Sequence, residues 1–265
     1  MSSRYVLRFL ALGYLALLLG IPVGLVFVNA FQDGFSAAWD AVTTPEAQHA
    51  FYLTLVMVAV AVPLNTIFGV LAALAIVRQR FPGRALFNAA IDLPFAVSPV
   101  VVGLALLLVY GSRDGWIGEW LAEQGIRVIF STPGMILATI FVSLPFVARE
   151  VIPVLREIGT EQEQAAATLG AGPMQTFFRV TLPAIRWGVA YGVVLTTARA
   201  LGEFGAVSVV SGRISGETQT ATLFVEDRFE HFDETGAYAA SVVLAVLALG
   251  TLLVMNVIKP KEAQT

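Results

Sequence analysis

Two ionisable residues, Arg199 and Glu203, stand four positions apart inside an apolar run of this 265-residue chain. At that spacing two side chains share one face of a helix. A charge at the centre of a bilayer costs at least about 2.5–3.5 kcal/mol on insertion scales, so each must face protein, water or a partner. Two chemistries fit. Either Arg199 is a transient partner for a passing anion, or Arg199 and Glu203 neutralise each other and hold a helix bundle together. The spacing favours the second. Ser98, Thr196, Thr197 and Ser208 are short hydroxyls suited to lining a polar path, although such groups more often bond back to their own helix. Asp92 is anionic, so it suits capping a helix or pairing with a cation rather than holding an anion.

Other chemistries find no residues. There is no cysteine, which excludes disulfides and thiolate chemistry, and the two histidines, His49 and His231, lie far apart in short polar segments. We read no metal site, no nucleophile with a base, and no catalytic residue. A phosphate-cradling loop needs Gly-x-x-x-x-Gly-Lys-Ser/Thr. The segment Gly212 to Gly216 lacks the lysine, so no nucleotide site is expected in this chain.

The elements that must position these residues follow from composition. Hydrophobic residues make up 57% of the chain and charged ones 13%, with a mean hydropathy of +0.78, where soluble domains carry nearer a quarter charged. The apolar residues form long runs, which suits helices crossing about 30 Å of hydrocarbon. We expect an all-α polytopic membrane protein with six transmembrane helices, near 6–29, 51–77, 86–110, 134–154, 184–210 and 236–258, as one transmembrane domain over residues 1–265. The third should begin irregularly at Pro94 and Pro99. The first has Arg4 and Arg8 in front and resembles a signal peptide, but its apolar core is too long for one, so it is expected to remain as a span.

Orientation follows from Lys and Arg. With the N-terminus in the cytoplasm, eleven basic residues, Lys259 and Lys261 among them, fall in inside segments; only Arg113, Arg127, Arg213 and Arg228 fall outside. Both termini are therefore expected in the cytoplasm. In the outer loops, Trp116, Ile117, Trp120 and Leu121 suggest a short helix lying flat at headgroup depth. The acidic loop Gly212 to Thr235 reads as a solvated surface or as a docking face for an outer partner.

The segment Glu161 to Pro183, EQEQAAATLGAGPMQTFFRVTLP, breaks the apolar pattern. Its start is acidic and rich in helix formers, Gly170-Ala171-Gly172 ends a helix, and Pro173 opens a second. Met174, Phe177 and Phe178 give it an apolar face. We expect a hairpin of two short helices in a cytoplasmic loop spanning 157–183. It is longer than a mere connection requires.

The pattern Gln164-Ala165-Ala166, three residues, Gly170, nine residues, Val180-Thr181-Leu182-Pro183 resembles the EAA loop of ABC-importer permeases. It departs from that motif at Gln164, where the family has Glu, and at Val180, where it has Ile. The resemblance implies that Gln164 to Ala171 form a coupling helix gripped by a separate ATPase subunit. Glu163, Gln164, Ala165, Ala166, Leu169, Gly170 and Ala171 would then make the contact, with Glu163 supplying the charge that Gln164 lacks. Asp92 to Val101, Leu144 to Glu150 and Ala198 to Val207 further resemble the second, W-type permease subunit of sulfate/thiosulfate importers. Molybdate and tungstate permeases share the plan with a weaker likeness.

That family implies a sister permease of the T/U type, a dimer of ATPase subunits that binds the ATP, and an external sulfate-binding protein. It implies an inner-membrane location, no cofactor in this chain and no nucleic acid. A self-sufficient secondary transporter would want buried proton relays or inverted repeats; only Asp92 and Glu203 offer a carboxylate, and no repeat is evident.

Overall fold

A chain surrounded by lipid must satisfy its own backbone polar groups, and the helix does so within one segment. The computed structural model describes residues 2–258, in which every regular element is helical; Lys259 and Lys261, used for orientation above, lie outside them. Helices α1 (Ser2–Leu15) and α2 (Ile21–Ala30) run together through a π turn at Ala16–Gly20. After the short α3 (Phe35–Val42) comes the longest helix, α4 (Pro45–Arg78). Thr44 caps it by accepting the Ala47 N–H at 3.2 Å. Glu46 in its first turn and Arg78 in its last both suit the helix dipole.

Next come α5 (Arg84–Ala96) and α6 (Pro99–Tyr110), which meet at a bend of 112°. The expected span 86–110 is therefore a broken one. Proline disfavours helical geometry in the residue before it, and Val97 and Ser98 are extended. Helix α7 (Gly118–Glu123) carries Trp120, which is exposed together with Trp116, while Leu121 is half-buried. Helices α8 (Thr132–Ser143) and α9 (Pro145–Ile158) form one long rod.

The polar segment gives α10 (Glu161–Thr168) and α11 (Pro173–Thr176). Here the expected hairpin differs. Helix α11 passes through a π turn at Phe177–Thr181 straight into α12 (Leu182–Leu201), with no break at Pro183. Leu182 N–H reaches back to Phe177 O, so the register slips just ahead of the proline. The expected span 184–210 is broken too: α12 ends at Leu201 and α13 (Gly205–Val210) follows. Helices α14 (Ala221–Glu230) and α15 (Glu234–Ile258) complete the chain.

Among the described residues, four helices are long and apolar enough to cross a membrane: Tyr5–Ala30, Pro45–Arg78, Thr132–Ile158 and Glu234–Val254; the bent α5–α6 pair makes a fifth if taken as one span. Helices α4, α9 and α12 form the centre. A Cβ built on Gly69 of α4 would lie 2.6 Å from Val147 Cβ, and one on Gly192 of α12 would lie 2.6 Å from Val147 Cα. Only glycine allows both helices to sit this close to α9, the small-residue packing common between membrane helices. At one end of the bundle Ile76, Ile91, Val151, Leu155 and Ile185 share a buried cluster. At the other, Leu53, Met57, Val102, Met135 and Val207 share a second.

Candidate functional site

Helix α10 buries none of its residues. It ends in a Schellman turn: Gly170 N–H donates to Ala167 O and Ala171 N–H to Ala166 O, both at 3.0 Å. Gly170 has φ +84°, the left-handed conformation that glycine adopts without steric cost. Among the described residues, no atom beyond its chain neighbours lies within 4 Å of where its side chain would be. The turn therefore requires glycine for its backbone, and the space beside it is open to a visitor. Gln164, Ala165, Leu169 and Gly170 are exposed, Leu169 at 88%, whereas Glu163, Ala166 and Ala171 are half-buried. Met174 and Phe178 extend the exposed apolar surface, while Phe177 packs inward on the neighbouring core cluster. Gln164 donates to Thr160 Oγ1 at 3.0 Å on its own helix.

Glu163 points the other way. Its carboxylate meets Arg78 at the end of α4, Nε to Oε2 at 3.0 Å and Nη2 to Oε1 at 3.3 Å. Thr181 Oγ1 donates to the same Oε1 at 2.9 Å. Arg78 also donates to Leu155 O at 3.0 Å and to Gly159 O at 2.6 Å. One guanidinium thus joins the ends of α4 and α9 to α10. Beneath α10 and α11 lies an open groove of about 370 Å³, bordered by Leu74, Arg78, Glu163, Ala167, Thr176 and Thr181 among others.

The other predicted residues lie apart from this elbow. Arg199 Nη1 contacts Glu203 Oε2 at 2.7 Å. Glu203 is 3% exposed, and its Oε1 accepts the Ala206 N–H at 2.9 Å, which caps the first turn of α13. Thr222 Oγ1 donates to the Glu203 carbonyl at 2.8 Å and so ties the break to α14. Thr196, Thr197 and Ser208 each donate to a carbonyl of their own segment, Gly192, Val193 and Gly205 respectively. Ser98 is exposed at the α5–α6 bend and makes no side-chain cap to α6. Asp92 pairs with a cation: Arg149 of α9 reaches both its oxygens, at 2.6 and 2.5 Å, and also holds Asn88 of α5.

Sequence reasoning gave no role to Arg78 beyond its charge and did not single out Asn65. Asn65 is fully buried, and its amide donates to Ile140 O and Ser143 Oγ beside the α8–α9 junction. A lone amide within an apolar run was the available signal. Arg78 had none, because its partner is 85 residues away.

Comparison with known proteins fits this architecture. Residues 65–264 match the family described as binding-protein-dependent transport system inner membrane component. The chain is 54% identical over 258 residues to the sulfate transport system permease protein CysW of Synechocystis sp., covering 97% of this chain and 93% of that protein. It is 41% identical over 246 residues to the sulfate transport system permease protein CysT of Synechococcus elongatus, covering 93% and 88%. Its fold is similar to a chain in the crystal structure of a bacterial alginate ABC transporter in complex with alginate pentasaccharide-bound periplasmic protein. There the TM-score is 0.78 at 20% identity, covering 98% of this chain and 95% of that one.

Proposed function

The chain belongs to the inner-membrane components of binding-protein-dependent transport systems, and on that premise we propose that it is a permease subunit of an ATP-driven importer for sulfate and thiosulfate. The substrate reading is supported by the high identity to a sulfate permease of the W type over nearly the whole chain. The lower identity to the T-type protein favours a sister of that type as the other half of the pathway. Import of a dianion against a negative interior needs work, because each charge feels about 2.3 kcal/mol per 100 mV. A separate pair of ATPase subunits supplies that work and binds the ATP. An external binding protein delivers the substrate.

We take residues 1–265 as one transmembrane domain, with 157–183 as its coupling loop. The domain crosses the membrane six times, through α1–α2, α4, the bent α5–α6 pair, α8–α9, the broken α12–α13 pair and α15. Both termini and the elbow at α10 face the cytoplasm. The observation that carries this reading is the exposed α10 surface, where Leu169 and the side-chain-free Gly170 leave room for a partner. Gln164, Ala165, Ala166, Leu169, Gly170 and Ala171 meet the ATPase. Ser98, Arg199, Thr196, Thr197, Ser208 and Glu203 lie along or beside the anion path. Contacts there are weak, since a strong site would hinder release.

A tagged chain is expected to purify with a sister permease and an ATPase. Vesicles bearing the whole complex should take up labelled sulfate only with ATP and binding protein, and molybdate should compete weakly. ATP-independent uptake by this chain alone would overturn the reading.

A further inference from the structure

Helix α10 sits on the bundle in an unusual way. It buries no residue, and an open groove runs beneath it and α11. Apolar packing transmits a push only where atoms touch, and a gap removes those contacts. The fixed link on its inner face is the Glu163 carboxylate. Charge-assisted hydrogen bonds are short and directional, and an arginine fork holds a carboxylate in one geometry. Glu163 is held by Arg78, through one Nη2 hydrogen bond and a 3.0 Å Nε–Oε2 ion contact, and by the Thr181 hydroxyl at once. Arg78 ends α4, and Thr181 is the last residue of the π turn that feeds α12. Those two helices are also the pair locked onto Val147 of α9 through Gly69 and Gly192. Among the described residues Glu163 is the one side-chain hydrogen-bonding link from α10 to α4 and α12, so displacement of α10 reaches the bundle centre through this polar joint as well as through its contacts with the π turn.

We propose that Arg78, Glu163 and Thr181 form the strut through which α10 drives α4 and α12, which makes Arg78 and Glu163 positioning residues for coupling rather than contacts to the ATPase. This rests on the proposed coupling function and deepens it, since it divides the loop between an outer gripping surface and an inner transmitting one. Glu163 then belongs to the inner set, and the Gln164 position faces the ATPase without a charge.

The test uses the whole complex, with its sister permease, ATPase and binding protein, in proteoliposomes. Sulfate uptake and ATP hydrolysis are measured on the same preparation. Glu163→Gln keeps the size and an acceptor for Thr181 but removes the charge; Arg78→Lys keeps the charge but removes the fork. Both variants are expected to assemble and hydrolyse ATP, while sulfate moved per ATP falls about tenfold, within the usual range of a coupling factor. The double variant should do little worse than either single one, because both cut the same joint. Thr181→Val should lower the ratio less than Glu163→Gln. An unchanged ratio in Glu163→Gln, or a loss of uptake and hydrolysis in parallel, would overturn the strut. Leu169→Asp separates this from the function itself. It should release the ATPase from the complex, and retention with normal uptake would sink the docking reading, whereas release together with a normal ratio in Glu163→Gln sinks the strut alone.

Discussion

Of the arginine–glutamate pairs among the described residues, Arg199–Glu203 and Arg78–Glu163 solve different problems. In the Arg199–Glu203 pair the arginine lies in the last turn of α12 and the glutamate in the break just after it, where its second oxygen caps α13. The pair is local and nearly buried on the acid side, so it makes the break between α12 and α13 tolerable. In the Arg78–Glu163 pair the residues are far apart in sequence, and the glutamate spends its second bond on Thr181 from a third element. That pair is long-range and partly open to water, so it fixes a surface helix to the bundle. The same two side chains therefore serve as an internal neutraliser in one place and a mechanical joint in the other. Sequence separation and the identity of the third group decide which.

The comparison can be broken at its strongest point first. Arg199→Ala leaves the Glu203 carboxylate buried without its cation, and removing one partner of such a pair typically costs about 3–5 kcal/mol. Unfolding of the purified chain in detergent should show that loss. The double change Arg199→Leu with Glu203→Leu should recover most of the stability, since well-packed apolar replacements are often neutral. If the double variant assembles and transports sulfate normally, the pair only holds the break together. If it assembles and uptake alone fails, Arg199 touches the passing anion.

A smaller effect is expected at the elbow. Gly170→Ala forces a side chain into left-handed geometry at about 1–2 kcal/mol, enough to loosen the end of α10 by about 5- to 30-fold. Limited proteolysis between residues 161 and 173 should report it, and an unchanged cleavage rate would mean that the turn is held by something other than its backbone. The smallest effect should come from salt. Raising ionic strength from about 0.1 to 1 M shortens the screening length from about 10 to 3 Å. The Arg78–Glu163 joint, in which both partners are partly exposed, should weaken, seen as a modest fall in sulfate moved per ATP. Stability changes on Arg199→Ala should respond less, because the Glu203 side chain is 1% exposed although Arg199 is not shielded. Equal salt sensitivity at both sites would erase the distinction.

Much of this was legible in the residues. The apolar runs gave the helical class and the approximate places of the four helices long enough to cross a membrane, and Gly170 marked the end of α10 because few other residues adopt that turn. The breaks were harder. Pro99 announced the irregularity at Val97 and Ser98 but not its 112° angle. Gly202 to Phe204 carry little warning that α12 stops there, because their apolar neighbours suit an unbroken span equally well. Packing was the least visible. In lipid a helix can be apolar on all sides, so no stripe tells which face of α4 or α12 meets α9. The motif sets Glu163 on the partner's side by its neighbourhood, whereas the distant Arg78 and Thr181 hold it inward.

The arrangement at Val147 has a hereditary consequence. One side chain occupies hollows left by two glycines on separate helices. Enlarging any of these three positions alone collides with the other members of the set, so change there must arrive as a coordinated group. Among diverging descendants of this chain, position 147 should vary in size only when 69 and 192 vary with it. Where they do not, the trio should stay frozen while the lipid-facing surface drifts freely.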